Sequence, residues 1–255
     1  MIDCHCHLEQ KEYEEDREKI IEQCEKEMKA VVTCCAHPLD LKWTLEICKK
    51  YRGFVFCSLG IHPSYVKELS EDKIDKTIKE IESHSKEIVA IGETGLDFNW
   101  VKEKELQEKQ KELFRKMIAL AKKLDKPLII HNRDATEDTI SILEQEGMKN
   151  KRVLMHMFDD RKFLPRVIDN DWFISIGPSI LTSKDKRKIA RDAPINKILL
   201  ETDSPWFAQE GQKYGTPLNV KIVAEKIAEI KKLSMKEIEK QTDLNAIEFF
   251  NLKIK

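Results

Sequence analysis

Short apolar runs alternate with longer amphipathic segments along the whole chain, at residues 1–7, 30–35, 54–60, 88–92, 127–131, 152–156, 172–177 and 197–201. Each run has the length and composition of a β-strand, and each interval is long enough for a return helix. The clearest helical interval is 103–124, where Leu106, Leu113, Met117, Leu120, Ala121 and Leu124 share one stripe and Lys and Glu fill the opposite face. Eight strand–helix units in 255 residues are what an α/β fold of the (β/α)8 TIM-barrel type requires. An open doubly wound sheet usually has fewer strands and a glycine-rich phosphate turn after the first, and no such turn follows residue 7. Beyond the eighth run, a loop at 204–216 leads to a helical stretch at 217–233. A last helix is opened by Ser234-Met-Lys-Glu237, the Ser-x-x-Glu pattern of a capping box. With no linker, low-complexity tract or second periodicity, residues 1–255 are expected to form a single domain.

Bulk chemistry removes several function classes. The 45 Lys and Arg are balanced by 46 Asp and Glu, so no global basic field marks a nucleic-acid binder and any anionic substrate must be attracted locally. Seven cysteines occur without a C-x-x-C spacing and mostly inside apolar runs, which points to reduced, buried thiols rather than a disulfide framework. No apolar run approaches membrane-spanning length and no leader pattern opens the chain. A soluble, cytoplasmic monomer with no membrane partner is expected.

The barrel reading directs attention to the C-terminal ends of the strands, where sites on this fold are built. His5 and His7 end the first run, and His62 follows the third. The fourth run leads into Gly92-Glu93-Thr94-Gly95-Leu96-Asp97 and the fifth ends in His131-Asn132-Arg133. His156 ends the sixth, and the eighth ends in Glu201-Thr202-Asp203. Four of the seven histidines therefore cluster at strand ends, together with Glu93 and Asp203, which is the pattern of a metal site. Six ligands exceed the need of one tetrahedral zinc with an open position. They suit two divalent ions sharing one carboxylate, and Glu93 is the natural bridge because it offers two oxygens. The expected partition is His5, His7, Glu93 and Asp203 on the first ion, with Glu93, His131 and His156 on the second. Imidazole-rich ligation favours zinc, manganese or cobalt.

In this scheme Glu93 and Asp203 are the catalytic carboxylates, Asp203 orienting or deprotonating a metal-activated water. His62 and Arg133 are candidates to bind substrate phosphate, the alternative being that His62-Pro63 shapes a loop and Arg133 pairs with a carboxylate. Asp3 is expected on the face of His5 and His7, bonded to a ligand imidazole. Cys4 and Cys6 should face the covering helices, and His37 and His84 should be surface or loop residues.

Taken together, His-x-His-Leu, Gly-Ile-His-Pro, Gly-Glu-Thr-Gly-Leu-Asp, His-x-Arg-x-Ala, the histidine after the sixth strand and Glu-Thr-Asp-Ser-Pro resemble the TatD family of metal-dependent deoxyribonucleases. The resemblance runs in order through Thr242-Asp-Leu-Asn245. It implies hydrolysis of DNA phosphodiester bonds, on single strands or DNA ends, in an exonucleolytic mode, with ligands at His5, His7, Glu93, His131, His156 and Asp203, and it implies that magnesium can serve. Two departures bear on DNA binding. Asp159-Asp160 stands where the family commonly has small residues, and Gly215-Thr216 stands where a basic one is frequent. The basic run Lys184-Asp-Lys186-Arg187-Lys188 with Arg191 could touch phosphates or be a solvated helix face. The competing reading is a binuclear amidohydrolase acting on a C–N or ester bond of a small metabolite, in which many barrels bridge their metals with a carboxylated lysine; a metal-stabilised binding protein without turnover is the third.

Overall fold

The structure, a computed structural model, describes residues 1–254. Eight strands form one sheet: β1 (Ile2–Cys6), β2 (Ala30–Cys35), β3 (Val55–Leu59), β4 (Ala90–Asp97), β5 (Leu128–Arg133), β6 (Val153–Met155), β7 (Phe173–Ile176) and β8 (Ile198–Leu200). They pair in parallel, each with the next. The remaining seam is drawn together just past the strand ends, where Asp203 N–H donates to His5 O (2.9 Å) and His7 N–H donates to Ser204 O (2.7 Å). The expected (β/α)8 barrel is therefore the observed fold. The helices α1 (Arg17–Glu27), α2 (Leu41–Lys50), α3 (Glu71–Ser83), α4 (Lys104–Leu124), α5 (Thr136–Gln145), α6 (Leu164–Asp169), α7 (Lys184–Asp192), α8 (Val220–Lys231) and α9 (Met235–Phe250) follow in order. The capping box opens α9, Ser234 and Glu237 each bonding the other's backbone N–H.

The period-2 alternation of the strands divides the apolar side chains into two layers. Val31, Val55, Ile91, Ile130, Met155, Ile174 and Leu200 face the helices in one continuous core. Ala30, Val32, Cys34, Ala90, Ile129, Leu154 and Leu199 fill the barrel, and Ala246, Phe249 and Phe250 of α9 close it from below. The floor is thus sealed by apolar packing, and polar chemistry is confined to the opposite mouth.

Two strands outrun their sequence-based ends. β4 continues past Gly92 to Asp97, and β5 past His131 to Arg133. The glycines that read as a terminating turn are instead sites of close backbone approach. A β-carbon at Gly95 would lie 2.0 Å from His131 O, and one at Gly92 would lie 2.6 Å from Ile129 O; both have positive φ, +147° and +134°.

β1 corrects two further expectations. Its register against β2 shifts between Asp3 and Cys6, so a simple alternation does not hold across the strand. Cys4 packs inside the barrel with Ile2 and Phe249, while Cys6 faces the helices. Asp3 accepts from the backbone N–H of His5 (3.2 Å) and of Thr202 (3.0 Å) and from the Thr202 hydroxyl (2.5 Å). It ties β1 to the residues after β8 instead of bonding an imidazole.

Candidate metal centre

The side chains at the strand ends converge at the barrel mouth. His5, His7 and Asp203 each offer a ligand atom within 4.8 Å of the others, as do His5, Glu93 and His156, and His62, Glu93 and His131. His5 and His7 point together as their spacing requires, with Nε2 atoms 3.3 Å apart. Glu93 lies between two groups. Its Oε2 faces His5 Nε2 (3.5 Å) and His7 Nε2 (4.0 Å), and its Oε1 faces His131 Nδ1 (2.7 Å) and His156 Nε2 (3.8 Å). Asp203 Oδ1 stands on the first side, 3.3 Å from His7 Nε2 and 3.8 Å from His5 Nε2. The two sides are not far apart, since the rings of His5 and His156 stack with centroids 3.7 Å apart.

Three of the four imidazoles have their outward nitrogen held by a carboxylate. His156 Nδ1 meets Glu201 Oε2 (2.7 Å), His131 Nε2 meets Asp97 Oδ2 (2.9 Å), and His7 Nδ1 meets Glu9 Oε1 (3.3 Å). Such partners fix the ring and leave the inward nitrogen available as a ligand. Each is held in turn: Glu201 Oε1 accepts from Met157 N–H (2.8 Å), and Glu9 Oε2 accepts from the Thr33 hydroxyl (2.9 Å). Asp97 is gripped through its backbone by buried Gln110, whose Oε1 accepts from Asp97 N–H (2.9 Å). His5 is the exception, with Nδ1 buried and without a partner among the described residues.

Asp97 and Glu201 lie inside the Gly-Glu-Thr-Gly-Leu-Asp and Glu-Thr-Asp-Ser-Pro motifs, whose letters alone give neither a role. Glu9 lies outside the motifs, and its i+2 spacing from His7 is the sequence signal that points to it. His62 is buried beside Glu93, with Nε2 3.9 Å from Glu93 Oε1. Its Nδ1 accepts from Ser64 N–H (3.2 Å) and meets Ser64 Oγ (2.7 Å), which assigns the single proton of the neutral ring to Nε2. Arg133 is exposed at the end of β5 and lies over the Trp100 ring, 5.5 Å from its centroid. His37 and His84 are half-buried loop or cap residues, His84 pairing with Glu87.

The charge balance of the cluster fits cations. Burial opposes ionisation of Glu93, but His156, His131 and His5 around it hold its carboxyl well below the usual range. Asp203 is likewise held low against burial by His7 and His156. Burial disfavours the imidazolium of His131, yet Asp97 and Glu93 raise its pKa to about 9. His5 is pushed down by burial and by His156, while burial and its neighbour His131 lower His62 to about 3. These are anionic oxygens and neutralisable nitrogens aimed at common points, with no thiolate among them, a donor set suited to divalent zinc, manganese, cobalt or magnesium.

The basic run on α7 is mostly locally paired: Lys188 with Asp185, Arg191 with Asp192, and Arg187 with the carbonyls of Ile180 and Leu181. Lys186 differs. It is half-buried, and its Nζ reaches Met157 O at 3.4 Å. Asp159 is exposed, and Lys186 is the main opposite charge acting on it.

Comparison with known proteins agrees with this architecture. The TatD related DNase family matches residues 2–251. Deoxyribonuclease TATDN3 of Homo sapiens is 35% identical over 262 residues, covering 98% of this chain and 94% of that protein. The uncharacterized metal-dependent hydrolase YabD of Bacillus subtilis is 35% identical over 259 residues, covering 99% of both. The crystal structure of YJJV, a TatD homolog from Escherichia coli, superposes with a TM-score of 0.88 at 23% identity over 98% of each chain. The chain belongs to the TatD family of metal-dependent deoxyribonucleases.

Proposed function

We propose that this protein is a divalent-metal-dependent hydrolase of DNA phosphodiester bonds, acting through residues 1–255 as one catalytic domain. The carrying observation is the split of Glu93: one oxygen toward His5 and His7, the other toward His131 and His156. That split supports two ions, the first held by His5, His7, Glu93 and Asp203 and the second by Glu93, His131 and His156. Bound there, such ions supply Lewis acidity toward a water and the phosphate oxygens.

The protein's own groups complete the chemistry. Asp203, kept ionised with Oδ1 toward His5 and His7, takes the proton of the attacking water on Oδ2. His62, neutral and with its proton on Nε2, donates to a non-bridging phosphate oxygen. Arg133 at the end of β5 and Lys186 on α7 add two positive charges along the path of the DNA backbone. Glu201, Asp97 and Glu9 hold the imidazoles at fixed orientation, so the ligand set does not reorganise as charge develops. DNA ends or single strands suit a cluster buried at the barrel mouth, since a base-paired strand is harder to bring to a recessed site. The six buried thiols among seven free cysteines accord with a reducing cytoplasm, and no helix among the described residues is long and apolar enough to cross a membrane. A monomer suffices, because every proposed ligand comes from one chain.

Hydrolysis of short single-stranded DNA with added zinc, manganese, cobalt or magnesium tests the reading. Wild type should cleave and Glu93→Ala should fall to background. Cleavage retained by the variant would overturn the bridging role; a metal-loaded wild type inert on DNA but active on a cyclic amide would favour the amidohydrolase.

A further inference from the structure

Six large apolar side chains stand exposed among the described residues, and five of them, Leu39, Trp43, Trp100, Trp206 and Phe207, lie in the loops or first turns that follow β2, β4 and β8. The exposed apolar surface is therefore gathered on the face that carries the metal cluster, a distribution that marks a binding surface rather than chance. Trp100 is the most exposed tryptophan, at 61%. It is also one ring away from the cluster: its centroid is 6.5 Å from that of His62, and the His62 centroid is 4.2 Å from that of His131. The aromatic line continues on the other side through Tyr65, 6.0 Å from His62, to His37, 4.4 Å from Tyr65.

Trp100 does not hang loosely. Its backbone N–H donates to Asp97 Oδ1 at 2.7 Å, and the other oxygen of the same carboxylate holds His131. The turn bearing the indole is thus fixed to a candidate metal ligand. Arg133 lies over the ring and forms no ion pair among the described residues. An exposed indole with a guanidinium beside it that makes no ion pair is complementary to a nucleotide: a π-face for a base and a fork for its phosphate.

We propose that Trp100 and Arg133 form a base-stacking subsite for single-stranded DNA, in which the unpaired base next to the scissile phosphate lies on the open face of the indole and Arg133 binds the neighbouring phosphate. The proposal rests on the DNA-hydrolase reading above and assigns it a substrate form. Stacking is indifferent to base identity but requires a base out of its duplex. The subsite selects unpaired strands or frayed ends over intact duplex, with little sequence preference. It also offers a local attraction in a chain whose overall charge is near neutral.

The test uses the metal-loaded enzyme and hexathymidylate, with a blunt duplex of mixed sequence as second substrate. Trp100→Ala should raise KM for the single strand about tenfold, and Trp100→Phe should restore it to within about threefold of wild type. The duplex KM should move less than twofold with Trp100→Ala. Tryptophan emission should be quenched by hexathymidylate in wild type, and most of that quenching should be lost in Trp100→Phe. Arg133→Gln should lower the slope of log KM against log salt by about 0.7. A wild-type KM in Trp100→Ala, a Phe variant as impaired as the Ala variant, or an equal loss on duplex would overturn the subsite while leaving the hydrolase reading intact. Failure of the wild type to cleave DNA with any of the four metals would overturn both. Because the indole is exposed and its turn is held through the backbone N–H, an unchanged thermal midpoint separates a binding defect from a folding one.

Discussion

The carboxylates behind the imidazoles decide how the centre can work. Glu201 receives the Nδ1 proton of His156 on one oxygen and the Met157 N–H on the other. In Glu201→Gln the amide can keep only one acceptor, so an N–H faces an N–H and His156 must turn or change tautomer. Loss of such a partner costs about 10–100-fold in metal affinity. Calorimetric titration should show this weakening in one class of site, with the thermal midpoint of the metal-free protein lowered far less than by loss of a ligand. Unchanged affinity would mean that Glu201 only supports the Met157 turn. His131 makes a second, pH-dependent statement. Burial works against its cation, but Asp97 and Glu93 prevail and raise its pKa to about 9. A histidine raised in the folded state stabilises the metal-free protein fully below its unfolded value of about 6.5, and that contribution fades as pH rises through about 9. A metal ion must displace the Nδ1 proton, so the opposite trend holds for binding: affinity should climb from pH 6 toward 9, and uptake at pH 7 should release protons. Calorimetry in buffers of differing ionisation enthalpy measures that release, and an affinity flat over this range would contradict the assignment.

β4 and β5 form the hinge of the site, because together they deliver Glu93, Asp97, His131 and Arg133. Gly95 permits their spacing, since a β-carbon there would fall 2.0 Å from His131 O at a φ of +147°. Gly95→Ala should therefore cost more than about 3 kcal/mol. Chemical denaturation would register it, and a variant as stable as wild type would mean that β4 has room to shift. This pair also shows where sequence is readable and where it is not. Hydrophobic period yielded the eight strands and their order, and strand-end chemistry yielded His5, His7, Glu93, His131, His156 and Asp203 as one convergent set, because both are local patterns projected onto a barrel. Strand ends escaped because Gly92 and Gly95 carry the same letter whether they end a strand or admit a close neighbour. The register shift in β1 escaped for a related reason: nothing in Asp3-Cys4-His5-Cys6 announces the extra residue that puts Cys4 inside the barrel and Asp3 against Thr202. Long-range partners such as Glu201 to His156 depend on which strand ends meet across the mouth, which is a property of barrel closure.

That closure has a weak point and a remedy in the same place. Seven neighbouring strand pairs are joined by ladders, while β8 meets β1 past the strand ends through Asp203 N–H to His5 O and His7 N–H to Ser204 O. The buried Asp3 carboxylate, bonded to Thr202, holds the same seam from within. The residues proposed for the first ion, His5 and His7 from one end of the chain and Asp203 from nearly the other, sit astride it. An ion bound by all three would link the first and last strands, so its free energy would act on the opening of the barrel as well as on chemistry. Amide exchange resolves this, since local opening is read residue by residue. With metal at about 100 times its dissociation constant, binding contributes about 2.7 kcal/mol, equivalent to roughly a hundredfold slowing of exchange where opening releases the ion. The amides of His7 and Asp203 should show most of that slowing, and those of Ile129 and Leu154, inside the ladders of the opposite wall, should show it only if they exchange through global unfolding. In His5→Ala/His7→Ala the added protection at Asp203 should vanish while His131 and His156 still bind metal. Equal protection of both walls by metal in wild type, under conditions where exchange is local, would remove the seam from the role assigned to it.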